Sequence, residues 1–133
     1  MLGVREPDVY GFKNLDAIAL ECEEYASELG FTIDFRQSNI EGEMVTILQQ
    51  AREGASGIIL NAGAYSHTSI AIHDALKMLE VPVIEVHLSN VYKREPFRHT
   101  SYVAPVASGV ICGFGGHGYI MALDALRALL DDA

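Results

Sequence analysis

The chain has no tryptophan, two cysteines and four prolines, and only nine basic residues against eighteen acidic ones. Each scarcity excludes something. A formal net charge of −9 leaves no basic surface to neutralise a phosphate backbone, so nucleic acid is not an expected partner. A small anion is still compatible, because a few local arginines can dominate one pocket. Cys22 falls on the apolar face of a predicted helix and Cys112 in a predicted strand. They read as buried free thiols rather than a disulfide or catalytic pair, which suits a reducing cytoplasm. There is no apolar run of about 18 residues, so no membrane span is expected. Met1–Pro7 has neither the basic start nor the apolar segment of a signal peptide. The only lysines are Lys13, Lys77 and Lys93, and none lies in a predicted buried strand, which argues against Schiff-base chemistry.

What is present is an alternation of strands and helices. Half of the 133 residues are apolar, enough for one domain spanning residues 1–133 with a real core. Asn14 is placed to cap a helix running to about Leu29, with Leu15, Ile18, Ala19, Cys22, Ala26 and Leu29 at helical spacing and Gly30 to end it. Phe31–Arg36 alternates and is β-rich, which predicts a strand. Glu41-Gly42 opens a helix with Met44, Ile47, Leu48 and Ala51 on one face. Gly57–Leu60 predicts a short buried strand. Thr68 or Ser69 would cap a third helix through Ile70–Leu76. Pro82–His87 and Gly109–Cys112 predict two more strands. A terminal helix buries Leu123, Leu126 and Leu130. This order implies a parallel sheet covered on both faces.

The chemistry gathers where two strands end. Pro82–His87 runs into Leu88, Ser89 and Asn90, with Arg94, Glu95, Arg98 and His99 beyond. Gly57–Leu60 runs into Asn61, followed by Tyr65, Ser66 and His67. In open α/β sheets ligands bind outside the carboxyl ends of the strands, so the two ends suggest one polar pocket. Ordinary hydrophilic turns are the plainer reading of each end taken alone. The glycine-rich turn Gly113–Gly118 lacks dinucleotide spacing and is better read as a tight-packing turn than as a phosphate cradle. The five histidines form no His-Glu-x-x-His or Cys-His cluster, so no metal site is expected. Ser89 has no Gly-x-Ser-x-Gly elbow around it, which argues against a hydrolase. Arg5, Arg94 and Arg98 fall in predicted loops and suit a carboxylate. Tyr10, near a loop arginine, is a candidate base, since a neighbouring cation favours phenolate.

Taken together, five segments resemble type II 3-dehydroquinate dehydratase. They are Leu2–Pro7 with Tyr10-Gly11, Asp34–Asn39 with Glu41-Gly42, Asn61–Ser69, Glu85–Asn90 with Arg94–His99, and Gly109–Gly113. They follow the family's order along nearly the whole chain. The resemblance implies a flavodoxin-like three-layer sandwich and a dodecamer built as a tetramer of trimers. It implies cofactor-free and metal-free loss of water from 3-dehydroquinate, in the shikimate or quinate pathway. Tyr10 would remove the proton beside the ketone, and Arg5 would favour its phenolate. His87 would protonate the departing hydroxyl, assisted by Asn61 and oriented by Glu85. The backbone at Leu88 and Ser89 would hold the substrate carboxylate, His67 and Arg98 would bind ring hydroxyls, and Asp74 would reach a neighbouring subunit's site. One departure stands out. The family begins with an apolar central strand ending in Asn-Gly-Pro-Asn-Leu-Asn, whereas this sequence starts at Met1-Leu2-Gly3. A longer native N-terminus that supplies this strand is therefore expected. The alternative expectation is a catalytically weakened dehydratase-like domain that binds a cyclic polyol carboxylate.

Overall fold

Strand β2 (Val83–His87) is buried at every position because it lies between two other strands. The computed structural model describes residues 15–132. Its sheet has the order β1-β2-β3, with β1 at Ile58–Leu60 and β3 at Gly109–Cys112. Both pairings are parallel, with Leu60 opposite Glu85 and His87 opposite Cys112.

Helices cover both faces. Helix α1 (Leu15–Glu28) and helix α4 (His117–Asp131) pack on one face, where Ile18, Cys22, Leu123 and Leu126 meet Ile84 and Val86. Helix α2 (Glu41–Ala51) and helix α3 (Ile70–Lys77) pack on the other, where Met44, Leu48, Ile72 and Leu76 meet Val83. The period of two along a strand produces this division. It also puts Glu85 and His87 on the Val83 side. Each fully buried Leu or Ile in these layers contributes about 1.5–3 kcal/mol relative to exposure.

Local signals set the helix ends. Ser69, not Thr68, caps α3, its side chain accepting the Ile72 amide at 3.0 Å. Gly30 ends α1 with φ +82°, and the Phe31 amide reaches back to the Ala26 carbonyl at 2.8 Å, a left-handed cap that glycine makes without strain. The cap expected of Asn14 lies outside the described residues. Among the described residues no helix is long and apolar enough to cross a membrane.

Two expectations are corrected. The segment 31–36 is not a strand of the sheet, so the described sheet has three strands rather than four. Its side chains do alternate, with Phe31, Ile33 and Phe35 packed on the α1–α4 core and Thr32, Asp34 and Arg36 exposed. The pattern is that of a strand, but a strand also needs a ladder, and no described strand lies beside this one. A cleft of about 720 Å³ separates it from β1, lined by Phe31–Arg36, Gly57–Asn61, Tyr119 and Leu126 among others. The second correction is Cys112, which is half-buried because β3 lies at the edge of the sheet. Cys22 is buried, and both thiols are free.

Candidate active site

Glu85 and His87 lie two apart on β2 and therefore share a face. Their side chains meet, with His87 Nε2 2.6 Å from Glu85 Oε2. The carboxylate is 1 % exposed and the histidine 8 %. A buried carboxylate without donors is costly, and the imidazole N–H supplies one. Nε2–H donates to the carboxylate, which leaves Nδ1 as the nitrogen available for proton exchange.

A second imidazole lies over the first. His67 ends the short 3₁₀ turn Gly63–His67, and its ring is nearly parallel to that of His87, at 6.2 Å and 12°. His67 Nδ1 is 2.8 Å from the Thr100 carbonyl. A carbonyl only accepts, so Nδ1 carries the proton and Nε2 is the acceptor of the neutral ring. Asn61 follows β1 at the same end of the sheet. Its Oδ1 accepts the Gly63 amide at 3.0 Å, and its Nδ2 donates to the Tyr119 hydroxyl at 3.1 Å. Both ends of the amide are thereby oriented. Leu88 and Ser89 continue from His87, and the Leu88 carbonyl is tied to the Gly115 amide at 2.9 Å. Gly113, with φ +97°, turns the chain back there, and its amide meets the His87 carbonyl at 3.2 Å.

The structure thus brings together Asn61, His67, Glu85 and His87, with Leu88 and Ser89 adjoining. Two of the expected residues are placed otherwise within the chain. Arg98, in the turn Pro96–His99, is turned to Glu95, with Nε 2.6 Å from Oε2, and its guanidinium lies over the Phe97 ring at 5.0 Å. The Glu95 carboxyl is held below the ordinary carboxylate range, first by its own backbone N–H and then by Arg98. Asp74 is exposed on α3, in a shallow groove with Val45, Gln49, Arg52 and Met78 between α2 and α3. Arg5 and Tyr10 lie outside the described residues. Among the described residues, no three His, Cys, Asp or Glu side chains come together as a metal ion would require.

Sequence reading missed two residues of the cluster. Ser101 donates its hydroxyl to Glu85 Oε2 at 2.8 Å, and Tyr119 holds Asn61 from helix α4. Tyr119 sits at a buried position of a helix that otherwise reads as apolar, which was the one available signal. Ser101 carried none, since a serine in a turn is unremarkable.

A parallel sheet with helices on both faces, and a buried carboxylate–imidazole pair at the carboxyl ends of its strands, define a flavodoxin-like α/β protein with a site suited to proton transfer. The family model Dehydroquinase class II matches residues 1–127, and the chain belongs to that family. It is 59 % identical over 130 residues to the 3-dehydroquinate dehydratase of Mesorhizobium japonicum, covering 97 % of this chain and 90 % of that protein. It is 55 % identical over 127 residues to 3-dehydroquinate dehydratase 1 of Agrobacterium fabrum, covering 96 % and 88 %. Among solved structures it is similar to type II dehydroquinase from Propionibacterium acnes, with a TM-score of 0.90 at 42 % identity, covering 96 % of this chain and 88 % of that one.

Proposed function

We propose that this chain dehydrates 3-dehydroquinate to 3-dehydroshikimate by elimination through an enolate. The observation that carries this reading is the 2.6 Å contact between Glu85 and His87, buried at the end of β2. Loss of water beta to a ketone needs a base for the alpha proton, donors for the enolate oxygen and an acid for the leaving hydroxyl. Tyr10 takes the alpha proton as phenolate, with Arg5 favouring that form. The electrons left behind form the enolate. Their return expels the hydroxyl, which takes a proton from His87 Nδ1 and leaves as water. Glu85 holds Nε2–H and offsets the imidazolium charge, so the ring faces the leaving group through its other nitrogen. Asn61, oriented by Tyr119 and the Gly63 amide, supports the same step with its remaining amide hydrogen.

The substrate carboxylate is held by the backbone of Leu88 and Ser89, and its ring hydroxyls by His67 and Arg98. Asp74 is exposed in the groove between α2 and α3, open to a neighbouring subunit whose site it would complete in an assembly of trimers forming a dodecamer. Appearance of the conjugated enone product, followed by its ultraviolet absorbance, tests the reaction. Tyr10→Phe removes only the proton acceptor, so turnover should fall by about 100-fold or more with substrate affinity little changed. Near-normal turnover in Tyr10→Phe rejects Tyr10 as the base, and absence of enone from the unaltered protein rejects the reaction.

A further inference from the structure

The carboxylate that holds His87 is itself held. Ser101 lies in the connection between β2 and β3, just before the short turn Ala104–Val106. A serine hydroxyl has one proton to give and two lone pairs to offer. Here the Val103 and Ala104 amides donate to its oxygen at 3.1 Å and 3.0 Å. With both lone pairs engaged, the hydroxyl proton is directed at Glu85 Oε2, 2.8 Å away. That oxygen then receives two donors, the Ser101 hydroxyl and His87 Nε2–H. The other oxygen, Oε1, is buried and receives none among the described residues. A carboxylate bonded through one oxygen to two donors from different chain segments cannot rotate to present the other without breaking a buried bond.

The preceding residue does parallel work. The Thr100 carbonyl accepts from His67 Nδ1 at 2.8 Å. The dipeptide Thr100-Ser101 therefore fixes both stacked imidazoles, one directly and one through Glu85. Its own position is held by the Tyr102 amide, which donates to the Ser66 carbonyl at 2.8 Å.

We propose that Ser101 is a positioning residue for the Glu85–His87 pair. Its hydroxyl, polarised by two backbone amides, sets the direction of the Glu85 carboxylate and so the orientation and N–H bonding of His87. The inference rests on the proposed acid role of His87 for its kinetic consequence, but the geometry itself can be tested without substrate. The probe is the His87 Nε2–H proton resonance, placed downfield by its short charge-assisted bond and identified by its loss in His87→Ala. In Ser101→Ala this resonance should move upfield or broaden beyond detection. In Ser101→Thr, which keeps the hydroxyl, it should stay.

Kinetics give the second readout. Ser101→Ala should lower kcat by about tenfold or more, the rate equivalent of one hydrogen bond to a charged group, while KM changes by less than about twofold. Ser101→Thr should recover most of the loss. An unmoved resonance in a folded Ser101→Ala protein overturns the proposal, as does a Ser101→Ala protein that loses only thermal stability or KM. If the unaltered protein does not turn over 3-dehydroquinate, the proposed reaction fails and the resonance alone decides the role of Ser101.

Discussion

Replacing Glu85 separates the two things its carboxylate does. Glu85→Ala removes the acceptor shared by His87 Nε2–H and the Ser101 hydroxyl. Both donors are then left in a buried site, at about 1–3 kcal/mol each, before any cavity cost. That sum is a large part of a typical domain stability of about 5–15 kcal/mol, so Glu85→Ala should be severely destabilised. Glu85→Gln has the same shape and keeps one oxygen to accept both donors. Its amide nitrogen falls where Oε1 now has no partner, which costs one unsatisfied buried group, about 1–3 kcal/mol. What Gln cannot supply is the negative charge beside the imidazole. A charge-assisted bond is roughly twice as strong as a neutral one. The imidazolium therefore loses about 1–2 kcal/mol of support, a fall of about 5- to 30-fold in kcat. Urea unfolding reads the first effect, and the enone absorbance assay reads the second. A folded Glu85→Gln protein with undiminished kcat would refute the argument that the carboxylate serves the imidazole.

Two further predictions concern the thiols and the assembly. Burial first, then Glu21 and Glu23, push the Cys22 thiol up from 9.0 to about 11. The folded state thus favours the neutral thiol, so this group's contribution is full below about pH 9 and is lost as pH rises through about 11. Thermal unfolding followed across that window should lose more stability in the unaltered protein than in Cys22→Ala, and equal losses would exclude the effect. The other is that activity should depend on concentration, falling on dilution if Asp74 serves a neighbouring subunit, as sedimentation and turnover measured together would show. Full activity in a sedimenting monomer would exclude that role.

The helices and the strands of the described sheet were legible because their signals are local, although the expected burial of Gly57–Leu60 was not met, since β1 is only half-buried. Ile18, Cys22 and Ala26 repeat at helical spacing and are buried, and the apolar run ending at His87 is the central strand. The pairing of Glu85 with His87 was expected from the family resemblance and not from spacing; in the structure they meet because residues two apart on a strand share a face. Ser101 was not, because it meets Glu85 from a separate segment of chain that carries no periodic pattern. Tyr119 was not, because it approaches Asn61 from 58 residues away. The expected strand at 31–36 failed for a related reason. Alternation reports which side chains face the core, whereas a ladder depends on what lies alongside, and that is a property of the whole chain. The partner of Arg98 within the chain, Glu95 three residues before it, was not read from the sequence, because the turn 96–99 carries no periodic pattern.

The cleft beside the segment 31–36 separates two kinds of protection that usually travel together. Phe31, Ile33 and Phe35 are packed on the core, so they resist removal from it much as a strand would. The Phe31 amide donates to the Ala26 carbonyl at 2.8 Å, while the segment joins no ladder among the described residues. In β2 both coincide, because the strand is buried throughout and laddered on each side. Its amides exchange only when the sheet itself opens. Deuterium uptake should therefore be slowest around Glu85 and His87 and faster in β3, at the edge of the described sheet. The residues held for proton transfer would then sit in the part of the backbone that opens least often.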